Sequence, residues 1–212
     1  EALRAAWNDA DVDFNTAKIP TKAQRMKSEL DELHDPKKSQ AVIDYTLYTS
    51  DLVAETIAYF AKVIKDATHR EKLVGAFYGY VLQLVGEQRQ QNAGHLAMDK
   101  LLACPDVDFM TSPSSYAFRA PGTGYSHFMS LTDTIKAHGK LWMDENDYRT
   151  WLTGGKVGEF GQAATYEESL TQQRRELGHV LGKGVCMWWF DMGGGWFDDP
   201  RMMREIGDMN RI

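Results

Sequence analysis

Three carboxylates follow a short apolar run in the segment GKLWMDENDYRTWL, residues 139–152. They are Asp144, Glu145 and Asp147. A carboxyl group held at the end of a rigid strand suits nucleophilic or acid/base chemistry, and glycoside cleavage uses a pair of such groups. We predict Glu145 as the catalytic residue, because it ends the run KLWMDE and its side chain reaches further than that of Asp144. The alternative is a solvated turn in which Asp147 pairs with Arg149.

Aromatic and polar residues gather where the predicted strands end. A sugar ring has one apolar face and a rim of hydroxyl groups, so aromatic side chains beside carboxylates suit sugar binding. Neighbours on a strand face opposite ways, and therefore only one of Trp188 and Trp189 can point towards a barrel interior. Tryptophans on strands can instead belong to the core, whereas Trp196 stands in a glycine-rich loop. The predicted substrate-binding residues are Tyr78, Tyr116, Asp144, Trp188, Asp191 and Trp196.

Short apolar runs alternate with helical patterns along most of the chain. This alternation predicts parallel strands joined by crossover helices, in either an open doubly wound sheet or part of a (β/α)8 barrel. Ser130 is the predicted N-cap of the helix before the third strand, and Gly139 its terminator. The predicted strands lie in residues 72–80, 107–112, 140–145 and 184–191, and the predicted helices in residues 36–68, 95–103, 130–139 and 165–184.

Composition argues against several classes of protein. A formal net charge of −6 and dispersed basic residues disfavour a nucleic-acid partner. No apolar run is long enough to span a membrane and no signal peptide is seen, so we expect a cytoplasmic protein without a membrane partner. Cys104 and Cys186 stand in apolar surroundings, which predicts small buried side chains and no disulfide. No metal site is predicted, because no two cysteines or histidines stand at ligand spacing. No cofactor is predicted either, and the phosphate-binding fingerprint of the nucleotide folds is missing.

Four segments together resemble one family. They are FYGY (77–80), HLAMDKLLACPDVDFMTSPSSYAFR (95–119), HGKLWMDENDYRT (138–150) and GVCMWWFDMGGGWFDDP (184–200). The chain resembles the C-terminal half of the catalytic barrel in β-galactosidase-like glycoside hydrolases of clan A, nearest to family 42. The resemblance implies that the apolar runs are strands five to eight of a (β/α)8 barrel. It also implies that Glu145 takes the place of the retaining nucleophile.

The same resemblance implies that strands one to four, and the acid/base glutamate that ends strand four, have no counterpart here. The expected fold is half of a TIM barrel, with four parallel strand-helix units in residues 71–212 after an N-terminal helical segment in residues 1–70. Half a barrel leaves two strand edges and one sheet face uncovered. We therefore expect a homodimer, an absent N-terminal half-barrel, or cover from the N-terminal helices.

The expected ligand is a β-galactoside-type sugar or another small molecule. A non-catalytic carbohydrate-binding or structural fragment is the main alternative. A hydrolase of small activated esters is a weaker one, because no Ser-His or Cys-His arrangement stands at usable spacing and no G-x-S-x-G motif occurs.

Overall fold

The structure is a computed structural model that describes residues 1–31, 33–83, 89–124 and 126–212. The chain divides into two compact units. Unit 1 comprises residues 1–74 and 79–107, and unit 2 comprises residues 75–78 and 108–212. The predicted boundary near residue 70 stays a prediction.

Unit 1 is helical. Its longest element is α3, Pro36–Ala67, which confirms the predicted long helix; the Asp35 side chain accepts a hydrogen bond from the Lys37 amide at its start. Proline suits the first helical position because its missing N–H would have no partner there. Among the described residues, no helix in either unit is long and apolar enough to cross a membrane. The other helices of unit 1 are α1 (Ala2–Trp7), α2 (Lys22–Arg25), α4 (Arg89–Asn92) and α5 (Met98–Ala103).

Unit 2 is built on a four-stranded sheet in which every neighbouring pair is parallel. The spatial order β1-β2-β3-β4 follows the chain order without a reversal. An α/β fold with a parallel sheet is therefore confirmed. The strands are β1 (Gly75–Phe77), β2 (Phe109–Pro113), β3 (Leu141–Asn146) and β4 (Cys186–Trp189), and the helices are α6 (Thr132–Ala137), α7 (Tyr166–Lys183) and α8 (Pro200–Met209), with a 3-10 turn at Glu159–Gly161.

Helix caps set the boundaries of α7 and α8. The Thr165 hydroxyl accepts a hydrogen bond from the Glu168 amide at the start of α7. Asp199 caps α8 in the same way. The predicted cap of α6 is wrong, because its N-cap residue is Leu131, and no side chain in the described part of the chain caps that helix.

The two faces of the sheet differ in their surroundings. Asn146 and Trp189, paired across β3 and β4, both donate to the Gln173 side chain of α7, so their face packs against that helix. The alternate residues form the other face, which we call the open face; on it the Phe77 ring contacts the Trp188 ring. Cys186 lies there as an exposed free thiol, so the prediction that it is buried is wrong. The open face consists of Gly75, Phe77, Phe109, Thr111, Pro113, Leu141, Met143, Glu145, Cys186 and Trp188.

Candidate functional site

The carboxyl end of β3 is a run of buried polar residues. Asp144 and Asn146 are 0% exposed, and Glu145 and Asp147 are 3% exposed. The alternative of a solvated turn is therefore wrong, and so is its ion pair, because Asp147 pairs with Arg119 rather than with Arg149. Burying four polar groups costs free energy unless hydrogen-bond or ion-pair partners are supplied. This strand end therefore differs from an ordinary solvated turn.

Arg119 is the buried cation of the site. Its side chain is 1% exposed, and its Nη2 lies 2.6 Å from Oδ1 of Asp147. The guanidinium is fixed by two backbone carbonyls, since Nε donates to Ser115 at 3.0 Å and Nη2 donates to Ser114 at 2.5 Å. An arginine held at several points presents its remaining N–H groups in a fixed direction. Asp147 is thereby held in a fixed position beside Glu145.

Tyr116 completes this ion pair on its exposed side. Its hydroxyl donates to Oδ2 of Asp147 at 3.0 Å, and the Arg119 guanidinium lies 4.1 Å from the centre of its ring. Burial raises the pKa of Tyr116 to about 12, and the charge of Asp147 adds to the rise. The phenol therefore keeps its proton and remains a hydrogen-bond donor at neutral pH. At 37% exposure, its ring is also accessible to a ligand.

Glu145 lies next to this group but is not tied into it. No hydrogen bond or ion pair engages its carboxyl group anywhere in the part of the chain that the structure describes. Burial raises the pKa of Glu145 to about 7; the charge of Asp147 adds to the rise, and the Arg119 guanidinium opposes it. A carboxyl group with a pKa near neutrality can both give and take a proton at physiological pH, which is what acid/base catalysis requires.

Two acidic residues, Asp144 of β3 and Glu176 of α7, meet on the face of the sheet that packs against α7. We call Asp144 and Glu176 the acidic pair. The Ser114 hydroxyl lies 2.7 Å from Oε1 of Glu176 and 3.0 Å from Oδ2 of Asp144, and the Tyr148 hydroxyl donates to Oε2 of Glu176 at 2.8 Å. All four residues are buried.

The two members of the acidic pair have pKa values shifted in opposite directions. Burial, and then the charge of Glu176, raises the pKa of Asp144 well above its usual range. Burial also acts to raise the pKa of Glu176, but hydrogen bonds from His179, Ser114 and Tyr148 outweigh it and lower that pKa. Two carboxylates in contact inside a protein cannot both ionise cheaply, so Asp144 carries the proton.

The loop after β3 forms a wall beside Tyr116. The Phe160 ring meets the Tyr116 ring edge to face at 5.7 Å, and the Arg149 guanidinium lies 4.3 Å from the centre of the Phe160 ring. Gly161 fits this loop against Arg119, because a Cβ atom at Gly161 would lie 2.3 Å from the Cβ atom of Arg119.

The structure brings some predicted site residues together. Tyr116 contacts Asp147, and Trp188 is the register partner of Glu145 on the open face, where its indole N–H donates to the Thr111 hydroxyl at 3.3 Å. Trp189 lies on the opposite face, as strand alternation requires. Glu145, Tyr116 and Trp188 thus belong to one end of the sheet.

The remaining predicted site residues are buried or engaged in structural contacts. Asp144 is turned to the α7 side, in the acidic pair, and Tyr78 is 0% exposed. Trp196 is 8% exposed, in an apolar cluster with residues of α8. Asp191 accepts hydrogen bonds from the Gly194 and Trp196 amides and so shapes the glycine-rich loop.

Sequence reasoning missed Arg119, Ser114 and Glu176. Arg119 carried a faint signal, as a single arginine among the aromatic and small residues of SSYAFRAPG. Glu176 carried none, because an acidic residue on a helix is usually solvated. Across the described ranges, no group of three or more His, Cys, Asp or Glu side chains is arranged to hold a metal ion.

No known protein family, curated protein or solved structure matches this chain.

Proposed function

We propose that unit 2 binds a carbohydrate and cleaves its glycosidic bond, with Glu145 as the carboxyl group that transfers the proton. The observation that carries the proposal is the state of Glu145: 3% exposed, engaged by no hydrogen bond within the described residues, and beside the Asp147–Arg119 ion pair. Its pKa of about 7 suits proton transfer at neutral pH.

The architecture supports the same proposal. Four parallel strands in chain order, with α7 packed on one face and aromatic residues on the other, are what half of a (β/α)8 barrel requires. A doubly wound sheet would reverse its strand order at a switch point. In barrel enzymes the active site lies at the carboxyl ends of the strands, which is where Glu145 lies. We therefore propose a half-barrel.

Glycoside cleavage needs two carboxyl groups in different protonation states. The family resemblance implies Glu145 as nucleophile, a role that requires an ionised carboxylate. The raised pKa of Glu145 favours the other role, and Asp147, ion-paired to Arg119, is the available carboxylate. We propose that Glu145 gives its proton to the glycosidic oxygen as the bond from that oxygen to the anomeric carbon breaks, while Asp147 attacks that carbon or activates the attacking water.

Aromatic rings beside Glu145 would hold the sugar. Trp188 is paired in register with Glu145, and Tyr116 is accessible next to Asp147. Both rings have the apolar surface on which a pyranose stacks. Which sugar is bound stays a prediction, with β-galactosides first because of the resemblance.

Chromogenic β-galactosides and related glycosides test the proposal. Turnover by the wild type should fall roughly 100-fold or more in Glu145→Gln and in Asp147→Asn, in line with the loss of a general acid or its partner. Glu167→Gln, an exposed carboxyl on α7, is the matched control. Unchanged turnover in Glu145→Gln would refute the role of Glu145. Quenching of tryptophan fluorescence by sugar without turnover would indicate the non-catalytic alternative.

Azide rescue separates the two roles of Glu145. With a glycoside that has a good leaving group, azide restores activity to Glu145→Ala. If Glu145 is the acid/base of a retaining enzyme, azide attacks the glycosyl-enzyme and the glycosyl azide keeps the substrate's anomeric configuration. If Glu145 is the nucleophile, azide replaces it and the product is inverted. NMR of the product distinguishes these outcomes.

A partner for the open face belongs to the same proposal. Phe77 and Leu141 are 50% and 44% exposed, and natural proteins rarely leave such a sheet face uncovered. We propose that a second copy of the chain covers it, which predicts a solution mass near twice 24.0 kDa by light scattering. A monomeric mass would indicate instead that an absent N-terminal half-barrel or the chain's own helices cover the open face.

A further inference from the structure

Arg119 has donor capacity that the described residues do not use. Its Nε and Nη2 atoms are engaged by Ser115, Ser114 and Asp147, but Nη1 is buried and has no hydrogen-bond partner within residues 1–31, 33–83, 89–124 and 126–212. A buried donor without an acceptor is costly, and arginine is the side chain with most N–H groups to satisfy. A water or a ligand oxygen would satisfy this atom.

Arg149 is a second cation with no carboxylate. Its guanidinium stacks on the Phe160 ring, and it forms no ion pair or side-chain hydrogen bond in the ranges that the structure describes. Phe160 contacts Tyr116, whose other contacts are with Arg119 and Asp147. Arg149 therefore stands on the wall of the candidate site rather than on a remote surface.

The charges of the site do not balance. Asp147 neutralises Arg119, and Glu145 is uncharged below its pKa of about 7. No carboxylate of the described residues lies within ion-pair distance of Arg149. A planar guanidinium stacked on an aromatic ring keeps its edge free for a carboxylate, which it can bind through two parallel hydrogen bonds.

We propose that the sugar bound at this site carries a carboxylate, as a uronic acid does, and that Arg149 recognises it while Nη1 of Arg119 donates to another oxygen of the same ligand. This inference rests on the proposed function in one respect: the ligand is a sugar. It does not depend on turnover. Arg149 is the specificity-determining residue, and Arg119 is shared between ligand binding and the ion pair with Asp147.

Matched glycosides test it by binding alone. Methyl β-D-glucuronide and methyl β-D-glucoside differ only in the group on C5, and so do methyl β-D-galacturonide and methyl β-D-galactoside. Titration calorimetry with Glu145→Gln, in which no substrate is consumed, should show one uronide binding roughly tenfold or more tighter than its neutral partner, as for a charge-assisted pair. The preference should weaken as salt is added.

Variants of Arg149 complete the test. Arg149→Gln should abolish the preference, and Arg149→Lys should keep part of it, because lysine retains the charge but not the planar fork. Arg204→Gln, an exposed arginine on α8, removes the same charge elsewhere and should leave the preference intact. Circular dichroism checks that each variant is folded.

The outcomes separate this inference from the proposed function. Equal binding of the uronide and its neutral partner, or a preference that survives in Arg149→Gln, overturns the inference and leaves sugar cleavage standing. Uronide binding that depends on Arg149, without turnover of any uronide by the wild type, supports the inference and refutes cleavage. Absence of binding by all four glycosides overturns both.

Discussion

Replacing Glu145 by glutamine should remove a pH dependence from the free energy of unfolding. Burial moves the pKa of Glu145 from its ordinary value of 4.5 to about 7 in the folded protein. Between these two values the folded chain keeps a proton that the unfolded chain has released. Stability is therefore highest below pH 4.5 and falls as the pH rises through 7, after which it no longer changes on account of this residue.

The magnitude follows from the size of the shift. One pKa unit corresponds to 1.36 kcal/mol, so a rise from 4.5 to about 7 gives an upper bound of about 3.4 kcal/mol. Although the Glu145 residue is 3% exposed, its carboxyl oxygens keep a small contact with solvent, and screening there reduces the effect, so we expect about 2 kcal/mol. Glutamine keeps the shape and does not titrate. Asp144 is present in both proteins, so its own titration cancels in the comparison.

Urea unfolding from pH 4.5 to pH 8.5 measures the effect. The difference in unfolding free energy between wild type and Glu145→Gln should change by about 2 kcal/mol over this range, with the wild type losing stability relative to the variant as the pH rises. Glu167→Gln, which removes an exposed carboxyl group on α7, is the control for the loss of a carboxyl group as such. If the Glu145→Gln curve ran parallel to the wild-type curve, Glu145 would not be desolvated and its proposed role would lose its basis.

Three further predictions concern the supports of the site. Ser114→Ala removes the hydroxyl that bridges the acidic pair and should cost roughly 1–3 kcal/mol in urea unfolding, because buried acceptors lose their donor; a cost below experimental error would contradict the bridge. Gly161→Ala should destabilise the protein, because the φ of Gly161 is +78° and the new Cβ atom would clash with Arg119. Gly178→Ala should instead stabilise the protein by roughly 0.5–1 kcal/mol, because a Cβ atom at this position inside α7 meets open space. Thermal melts compare the two variants with the wild type. Thr165→Ala removes the N-cap of α7 and should cost about 1 kcal/mol in the same assay, and Thr165→Ser should restore most of it.

Much of β3 could be read from the sequence. Its apolar run predicted the strand, and the alternation of side chains across a strand implies that Asp144 and Glu145 face opposite ways. The helical pattern in residues 165–184 likewise predicted α7, which begins at Tyr166. The long helix α3 followed from its spacing of apolar residues.

The partners of the carboxylates could not be read in this way. The ion pair of Asp147 with Arg119 joins residues on separate loops, and the contact of Asp144 with Glu176 depends on how α7 packs on the sheet. Cys186 shows the same limit, because apolar neighbours in sequence do not reveal that its sheet face is open. These two contacts and the exposure of Cys186 depend on tertiary packing, which a local sequence pattern does not reveal.

The chain-order arrangement of the sheet has a consequence for how unit 2 folds. Each strand pairs with the strand that precedes it in the sequence, so the sheet can grow by one strand at a time as the chain is synthesised. No pairing has to wait for a distant segment, which keeps the contact order moderate for a parallel sheet. Amide hydrogen exchange should then be slowest in β2 and β3, which are paired on both sides, and faster in β1 and β4.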